Sequence, residues 1–170
     1  MRRHIIKIAI LCLMQTALAF ASECGPLKMS LPDGWKLEYT ETNGLDCYNA
    51  TPNKTETVCA FYKYPVPMNP GDIPATLMKI TDGVSKGSKG YKEFTYVSEK
   101  YEVVPFAGEQ CKGSYTVLKF ISNTRTNSFV ETSSLFMMTI NGQIWNGHYQ
   151  GTAEQWVQAL GLLKSIKTAQ

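Results

Sequence analysis

Two adjoining runs near the carboxyl end carry the clearest hydrophobic pattern in the chain. Leu135-Phe136-Met137-Met138-Thr139-Ile140 is apolar on both alternating sets, as expected of a strand covered on both faces. Asn141-Gly142 follows. Asn-Gly between apolar runs predicts a two-residue hairpin turn, because both residues accept positive φ. The return run leads into Thr152-Ala153-Glu154-Gln155, which has the Thr-x-x-Gln form of a capping box. Trp156, Ala159, Leu160, Leu163 and Ile166 then supply the apolar face of a terminal helix. The hairpin is predicted as the centre of a sheet and the helix as its cover on one side.

The remaining pattern fits the same architecture. Leu31-Pro32-Asp33-Gly34 reads as a turn after an irregular lead from Cys24 to Ser30. Trp35 to Tyr39 alternates as a half-buried strand, Asn43-Gly44 is a second tight turn, and Leu45 to Asn49 returns. Ala50 to Thr57 is polar and loop-like, and Val58 to Tyr64 is a strand by composition. Pro65, Pro67 and Pro70 make a stiff connection. Asp72 is the expected N-cap of a helix in which Ile73, Leu77, Ile80 and Val84 form one stripe. Strands are expected at Phe94–Val97, Lys100–Val104 and Ser114–Ile121, with a loop or bulged edge from Phe106 to Lys112. No internal repeat is present.

Composition changes this picture at the amino end. Arg2, Arg3 and Lys7 precede an apolar run, and Ala19-Phe20-Ala21 is a small-x-small site. Residues 1–21 therefore read as a cleaved export signal, leaving a single domain over 22–170. The residues before Cys12 and Cys24 are Leu11 and Glu23, whereas lipidation wants a small residue there. The basic excess, 17 against 14 acidic residues, sits in that signal, and without its three basic residues the count is 14 of each. The charge thus gives no footprint for nucleic acid, and no second apolar stretch suggests a membrane span.

Four cysteines remain: Cys24, Cys47, Cys59 and Cys111. An even number in an exported chain predicts two disulfides, with three connectivities open. Cys47–Cys59 is favoured because the intervening excursion returns on itself, which leaves Cys24–Cys111. His148 is the only histidine beyond the signal. There is no Gly-x-Ser-x-Gly elbow and no close His/Cys spacing for a metal. A catalytic set, a metal and a cofactor are accordingly not expected, and His148 is expected to be a hydrogen-bonded structural residue. The Met137-Met138 pair is expected in the core, where methionine fills irregular gaps.

The candidate functional residues lie on connections. Gly108, Glu109, Gln110, Lys112, Gly113 and Ser114 surround Cys111 and combine unusual backbone with polar side chains. A stapled loop of that kind loses little entropy on docking. Tyr62, Tyr64, Met68 and Arg125 are secondary candidates, since aromatics, Met and Arg are enriched at interfaces. The partner expected is a protein.

With this order of elements, the chain resembles the PsbP-like group, which includes bacterial DcrB-like envelope proteins. The matching stretches are Leu31-Pro32-Asp33-Gly34-Trp35, the helix at Asp72 to Val84, and a Gly-x-x-x-x-Gly-Ser-Tyr strand entry at Gly108 to Tyr115. The run His148-Tyr149-Gln150-Gly151-Thr152 into Glu154-Gln155-Trp156, closing on Leu163-Lys164-Ser165-Ile166-Lys167, matches the last strand and helix. The resemblance implies an α+β fold, an antiparallel sheet with a helix on each side. Its members act mostly as assembly factors, envelope proteins or effector adaptors rather than enzymes. The four cysteines and the Ala50 to Thr57 excursion depart from it. In size, export and missing chemistry the chain also looks like periplasmic immunity proteins that block type VI peptidoglycan amidases. The resulting expectation is a periplasmic inhibitor of a secreted cell-wall-degrading toxin. A DcrB-like assembly factor and a small-ligand carrier are the alternatives.

Overall fold

The structure, a computed structural model, describes residues 21–53, 57–88, 94–96, 101–123 and 128–169. The export segment expected over 1–21 lies outside these residues except for Ala21, which opens the first strand. Among the described residues, no helix is long and apolar enough to cross a membrane.

In chain order the strands are β1 (Ala21–Cys24), β2 (Leu27–Ser30), β3 (Trp35–Thr42), β4 (Leu45–Pro52) and β5 (Val58–Lys63). Helix α1 (Ile73–Ser88) follows, then β6 (Phe94–Tyr96), β7 (Val104–Ala107), β8 (Cys111–Asn123), β9 (Ser128–Ile140) and β10 (Gln143–Gly151). Helix α2 (Ala153–Lys164) and β11 (Lys167–Thr168) close the chain. The main sheet has the order β3-β4-β5-β10-β9-β8-β6, with β7 pairing the amino half of β8. All its pairings are antiparallel. A small sheet, β1-β2-β11, packs on one face.

The predicted centre is where the pattern placed it. Strand β9 lies between β10 and β8. Phe136, Met138 and Ile140 face one layer and Met137 the other, all at most 1% exposed. Asn141 and Gly142 have φ of 48° and 76°, and Asn43 and Gly44 have φ of 54° and 74°. Both hairpins therefore turn with the positive φ pair whose twist suits flanking strands.

The two faces are covered differently. Helix α2 and the small sheet cover the first, over Tyr48, Phe61, Phe136, Trp145 and Tyr149. Trp156 of α2 lies 5.2 Å from Tyr115, 5.1 Å from Tyr149 and 6.4 Å from Phe136, ring centre to ring centre. Such ring pairs contribute roughly 0.5–1.5 kcal/mol each beyond area burial. Helix α1 covers the second face over β8 and β9. Ile73 and Leu77 meet Met137 and Ile144 there, and Thr81 Oγ1 lies 2.8 Å from Thr116 Oγ1. The sheet with a helix on each side is thus observed.

The N-cap at Thr152 also forms, with Gln155 N donating to Thr152 Oγ1 at 3.2 Å, while the Gln155 side-chain oxygen accepts from Thr57 Oγ1 and does not close the box. Elsewhere the boundaries move. The cap before α1 is Asn69, which accepts from Gly71 N at 2.9 Å ahead of a short 3-10 turn at Pro70–Asp72, so Asp72 is not the cap. Helix α1 continues through Gly83 and Gly87 to Ser88, beyond the end of the apolar stripe at Val84. The lead from Cys24 to Ser30 is half of a hairpin, because Leu27 and Met29 are buried under α2. Phe106 is buried against Tyr115, which turns the expected loop into β7.

A contrast of two glycines tests this packing. A Cβ on Gly147 would press into the Phe136 ring and the Ala60 carbonyl, whereas one on Gly161 meets nothing within 4 Å. Gly147→Ala is expected to lower stability by about 1–3 kcal/mol. Gly161→Ala, inside α2, is expected to raise it by about 0.5–1 kcal/mol. Urea denaturation of both variants checks the pair.

Candidate functional site

Strand direction decides where the connections lie. Because neighbouring strands run antiparallel, β3, β5 and β9 end where β4, β8 and β10 begin. Four connections therefore meet at one end of the sheet: Asn43-Gly44, the exit of β5 into Tyr64–Met68, the β7–β8 turn around Gly108–Gln110, and Asn141-Gly142. The two regions singled out separately in the sequence share this end.

Each connection is held rigid by its own means. The two Asn-Gly pairs adopt positive φ. Tyr64 N donates to Ile144 O at 2.8 Å, and the prolines at 65 and 67 limit the backbone that follows. The β7–β8 turn is clamped to the carboxyl end of α2. Gly108 N donates to Cys111 O at 2.9 Å, and Glu109 N donates to Lys164 O at 3.1 Å. The latter satisfies one carbonyl left open by the end of the helix. Gln110 Oε1 accepts from Thr168 N and Oγ1 at 3.0 and 3.1 Å, and Glu109 Oε2 lies 2.5 Å from Lys167 Nζ. A Cβ on Gly108 would collide with the Lys164 backbone, so glycine is required by close approach.

The predicted loop residues separate at this point. Glu109, Gln110 and Lys112 are exposed, and Gly108 is half-buried. Gly113 abuts the Met137 carbonyl inside the sheet, and Ser114 is only 6% exposed. Tyr62 lies one strand position inside this end, half-buried, and its hydroxyl accepts from Asn146 Nδ2 at 2.9 Å. Tyr64 and Met68 are half-buried against the α1 cluster. Arg125 lies outside the described residues.

The Cys47–Cys59 expectation is corrected, while the side chain of Cys24, the other half of the second expected pair, lies outside what the structure describes. Cys47, Cys59 and Cys111 are free thiols. In the β4–β5 ladder Cys47 opposes Tyr62, and Cys59 opposes Ala50. Positions three apart face opposite sides of a sheet and are about 10 Å apart along it. Cys47–Cys59 therefore has neither the direction nor the roughly 7 Å reach that a disulfide needs. The excursion brings its ends together but turns the two side chains to opposite layers. In place of Cys24–Cys111, the Cys111 thiol donates to Leu163 O at 3.1 Å, inside the seam with α2. The turn is thus stapled to its support by hydrogen bonds, not by sulfur.

His148 is exposed on the α1-side face between Ala60 and Leu135. Partial desolvation by its neighbours lowers its pKa. Ser114 lies two strands away in β8 and opposes Met137, while His148 opposes Leu135. Roughly 10 Å of sheet separates the two strands, outside hydrogen-bond reach. No group of three or more His, Cys, Asp and Glu placed to hold a metal occurs among the described residues.

A groove of about 430 Å³ lies among these connections. Leu45, Lys63, Tyr64, Val66, Met68 and Ile144 line it, with Gly44 and Gly142 of the two turns at its border. Gly44, Leu45 and Ile144 were not singled out as functional candidates in the sequence. The only signal for them was their position beside turn residues, and which turns converge follows from strand order alone.

The sequence matches no family model and no curated protein. A solved structure similar to this chain is LpqN, described as involved in cell envelope biogenesis of Mycobacterium tuberculosis. It is 11% identical, with 85% of this chain and 83% of that chain covered, at a TM-score of 0.43. A protein from Bacteroides thetaiotaomicron is 10% identical over 85% of this chain and 45% of its own, at a TM-score of 0.31. Neither is named as a PsbP-like or an immunity protein.

The thiols give a direct test of the corrected cysteine chemistry. Cys59 is fully buried and its pKa is pushed up to about 12 by desolvation. Burial also raises Cys111, against a smaller opposing hydrogen bond from Gly108. Since the thiolate is the reactive form, Cys47 is expected to react with an aromatic disulfide reagent in the folded protein well before Cys59 or Cys111. A non-reducing peptide map showing a Cys47–Cys59 linkage would contradict the strand register.

Proposed function

We propose that this chain is an exported, non-enzymatic protein-binding module of the cell envelope that docks through the end of the sheet where its four connections meet. The supporting observation is the rigidity of that end. Two positive-φ turns, a proline-stiffened loop and a turn clamped on α2 present their side chains from fixed backbone. Connections held on a rigid scaffold commonly carry recognition, and little entropy is lost when they dock. Tyr62, Tyr64 and Met68 supply the residue types that interfaces favour, and Glu109, Gln110 and Lys112 supply a polar rim.

In its specific form the partner is a secreted peptidoglycan amidase, and this end of the sheet occludes its active site as an immunity protein does. Lys112, exposed at the start of β8, is the polar group offered to a catalytic cleft, whereas the Gln110 carboxamide oxygen is held by Thr168 and Ser114 is inside the sheet. An envelope assembly factor of the DcrB-like kind would use the same surface toward a partner that is not a toxin.

Calorimetry against a purified amidase encoded beside this chain tests the specific form. Tyr64→Ala and Lys112→Glu are each expected to weaken binding about tenfold or more, as for interface anchors. Release of peptidoglycan fragments by the amidase is expected to stop when the wild-type chain is added. Binding without inhibition would remove the immunity reading and leave the assembly reading. Undiminished affinity in both variants, with unchanged circular dichroism, would remove this surface altogether.

A further inference from the structure

The edges of the main sheet are unequal. On one side β6 has three residues and β7 has four, one of them Pro105. Short strands and edge prolines guard a sheet against further pairing. On the other side β3 ends the strand order and runs eight residues with neither proline nor glycine. Strand β1 approaches it without joining its ladder. The Asn43-Gly44 turn sets which backbone groups this edge offers. Residues flanking a two-residue turn exchange both hydrogen bonds, and Thr42 opposes Leu45. The even-numbered residues of β3 therefore bond to β4. Gly34 O, just before the strand, obeys the same parity and accepts from Asn53 N at 2.7 Å. Leu37 and Glu41 turn their N–H and C=O groups outward. Trp35 N is already bonded to Pro32 O at 3.1 Å, so Leu37 is the first residue of the strand to offer both groups. The side chains alternate as well. Trp35, Leu37 and Tyr39 pack toward the α2-side core, and Lys36 and Glu38 stand exposed on the opposite face.

We infer that β3 pairs antiparallel with β3 of a second copy of this chain, about a two-fold axis at Leu37, so that one sheet continues into the other. Opposed residues in such a pair share a face, so the axis falls on a residue, and the side chains decide which. With the axis at Leu37, Lys36 of each copy faces Glu38 of the other. Leu37 then faces Leu37, and Trp35 faces Tyr39. An axis at Lys36 or at Glu38 sets like charges directly opposite each other, which is destabilising. An axis at Tyr39 sets apolar Leu37 against Glu41. Only at Leu37 do opposite charges meet twice, while the outward N–H and C=O of Leu37 bond to those of its counterpart. A ladder over Trp35 to Tyr39 is a small interface, so the dimer is a weak one. This surface is separate from the docking end. Because the paired strands run in opposite directions, the two docking ends point away from each other, and one dimer can hold two partners.

Sedimentation velocity of the full chain tests the pairing, under reducing conditions that keep Cys47 from cross-linking. The range is roughly 1 μM to 1 mM, where weak association shows. The wild-type chain is expected to move from monomer to dimer and to stop there, because a two-fold contact closes on itself. Lys36→Glu and Glu38→Lys are each expected to weaken the dimer about tenfold or more, since each change sets like charges opposite at both symmetric pairs. Both side chains are exposed, so circular dichroism is expected to stay unchanged. The double variant Lys36→Glu with Glu38→Lys exchanges the charges and is expected to restore wild-type association. A monomer throughout the range would overturn the inference and leave this edge to a strand of another protein. A dimer that both single variants leave intact would overturn it by placing the contact elsewhere. A double variant that stays as weak as the single ones would overturn the register about Leu37.

Discussion

Burial of β9 on both faces is the constraint from which the rest of this molecule follows. A strand with apolar side chains on each alternating set must have a partner on either edge and a layer on either side. The edges are met by β8 and β10. One side is met by Trp156 and the rest of α2, seated on Tyr115, Phe136 and Tyr149. The other is met by α1, through Ile73 and Leu77 on Met137 and Ile144. The adjoining residues Met137 and Met138 serve opposite layers, so a change at either is felt by a different helix.

That arrangement also produces the candidate docking surface. Fixing β9 between antiparallel neighbours sends its Asn141-Gly142 turn to the same end as the start of β8 and the exit of β5. The carboxyl end of α2 then comes within reach of Gly108 and Glu109, whose backbone closes the helix while the helix holds the turn. Packing and presentation are thus one set of contacts. Cys111 belongs to that set, with its thiol on the Leu163 carbonyl and its side chain inside the core.

The cysteines show how a sound compositional rule fails against sheet geometry. An even count in an exported chain favours pairing, and a returning excursion favours Cys47 with Cys59. Alternation along the strand overrides both, because the pair faces two different layers. His148 is the converse case. Its strand was read correctly, but along β10 it stands past Ile144, the position where α1 packs, and the side chain meets solvent.

Local pattern alone determined the hairpin at Asn141-Gly142, the second turn at Asn43-Gly44, the capped helix after Thr152 and the two-sided burial of Leu135 to Ile140. Each depends on residues within a few positions of one another: positive φ, a capping hydroxyl, a period of two. The sequence also marked Gly108 to Ser114 and Tyr62 to Met68 as separate candidates. Only the tertiary structure brought them to one end, made Glu109 and Gln110 the clamp on α2 and β11, and placed Gly113 and Ser114 inside the sheet. It alone formed the groove containing Lys63. These outcomes rest on strand order and on contacts between residues such as Gly108 and Lys164, far apart in the chain, which no short-range pattern encodes.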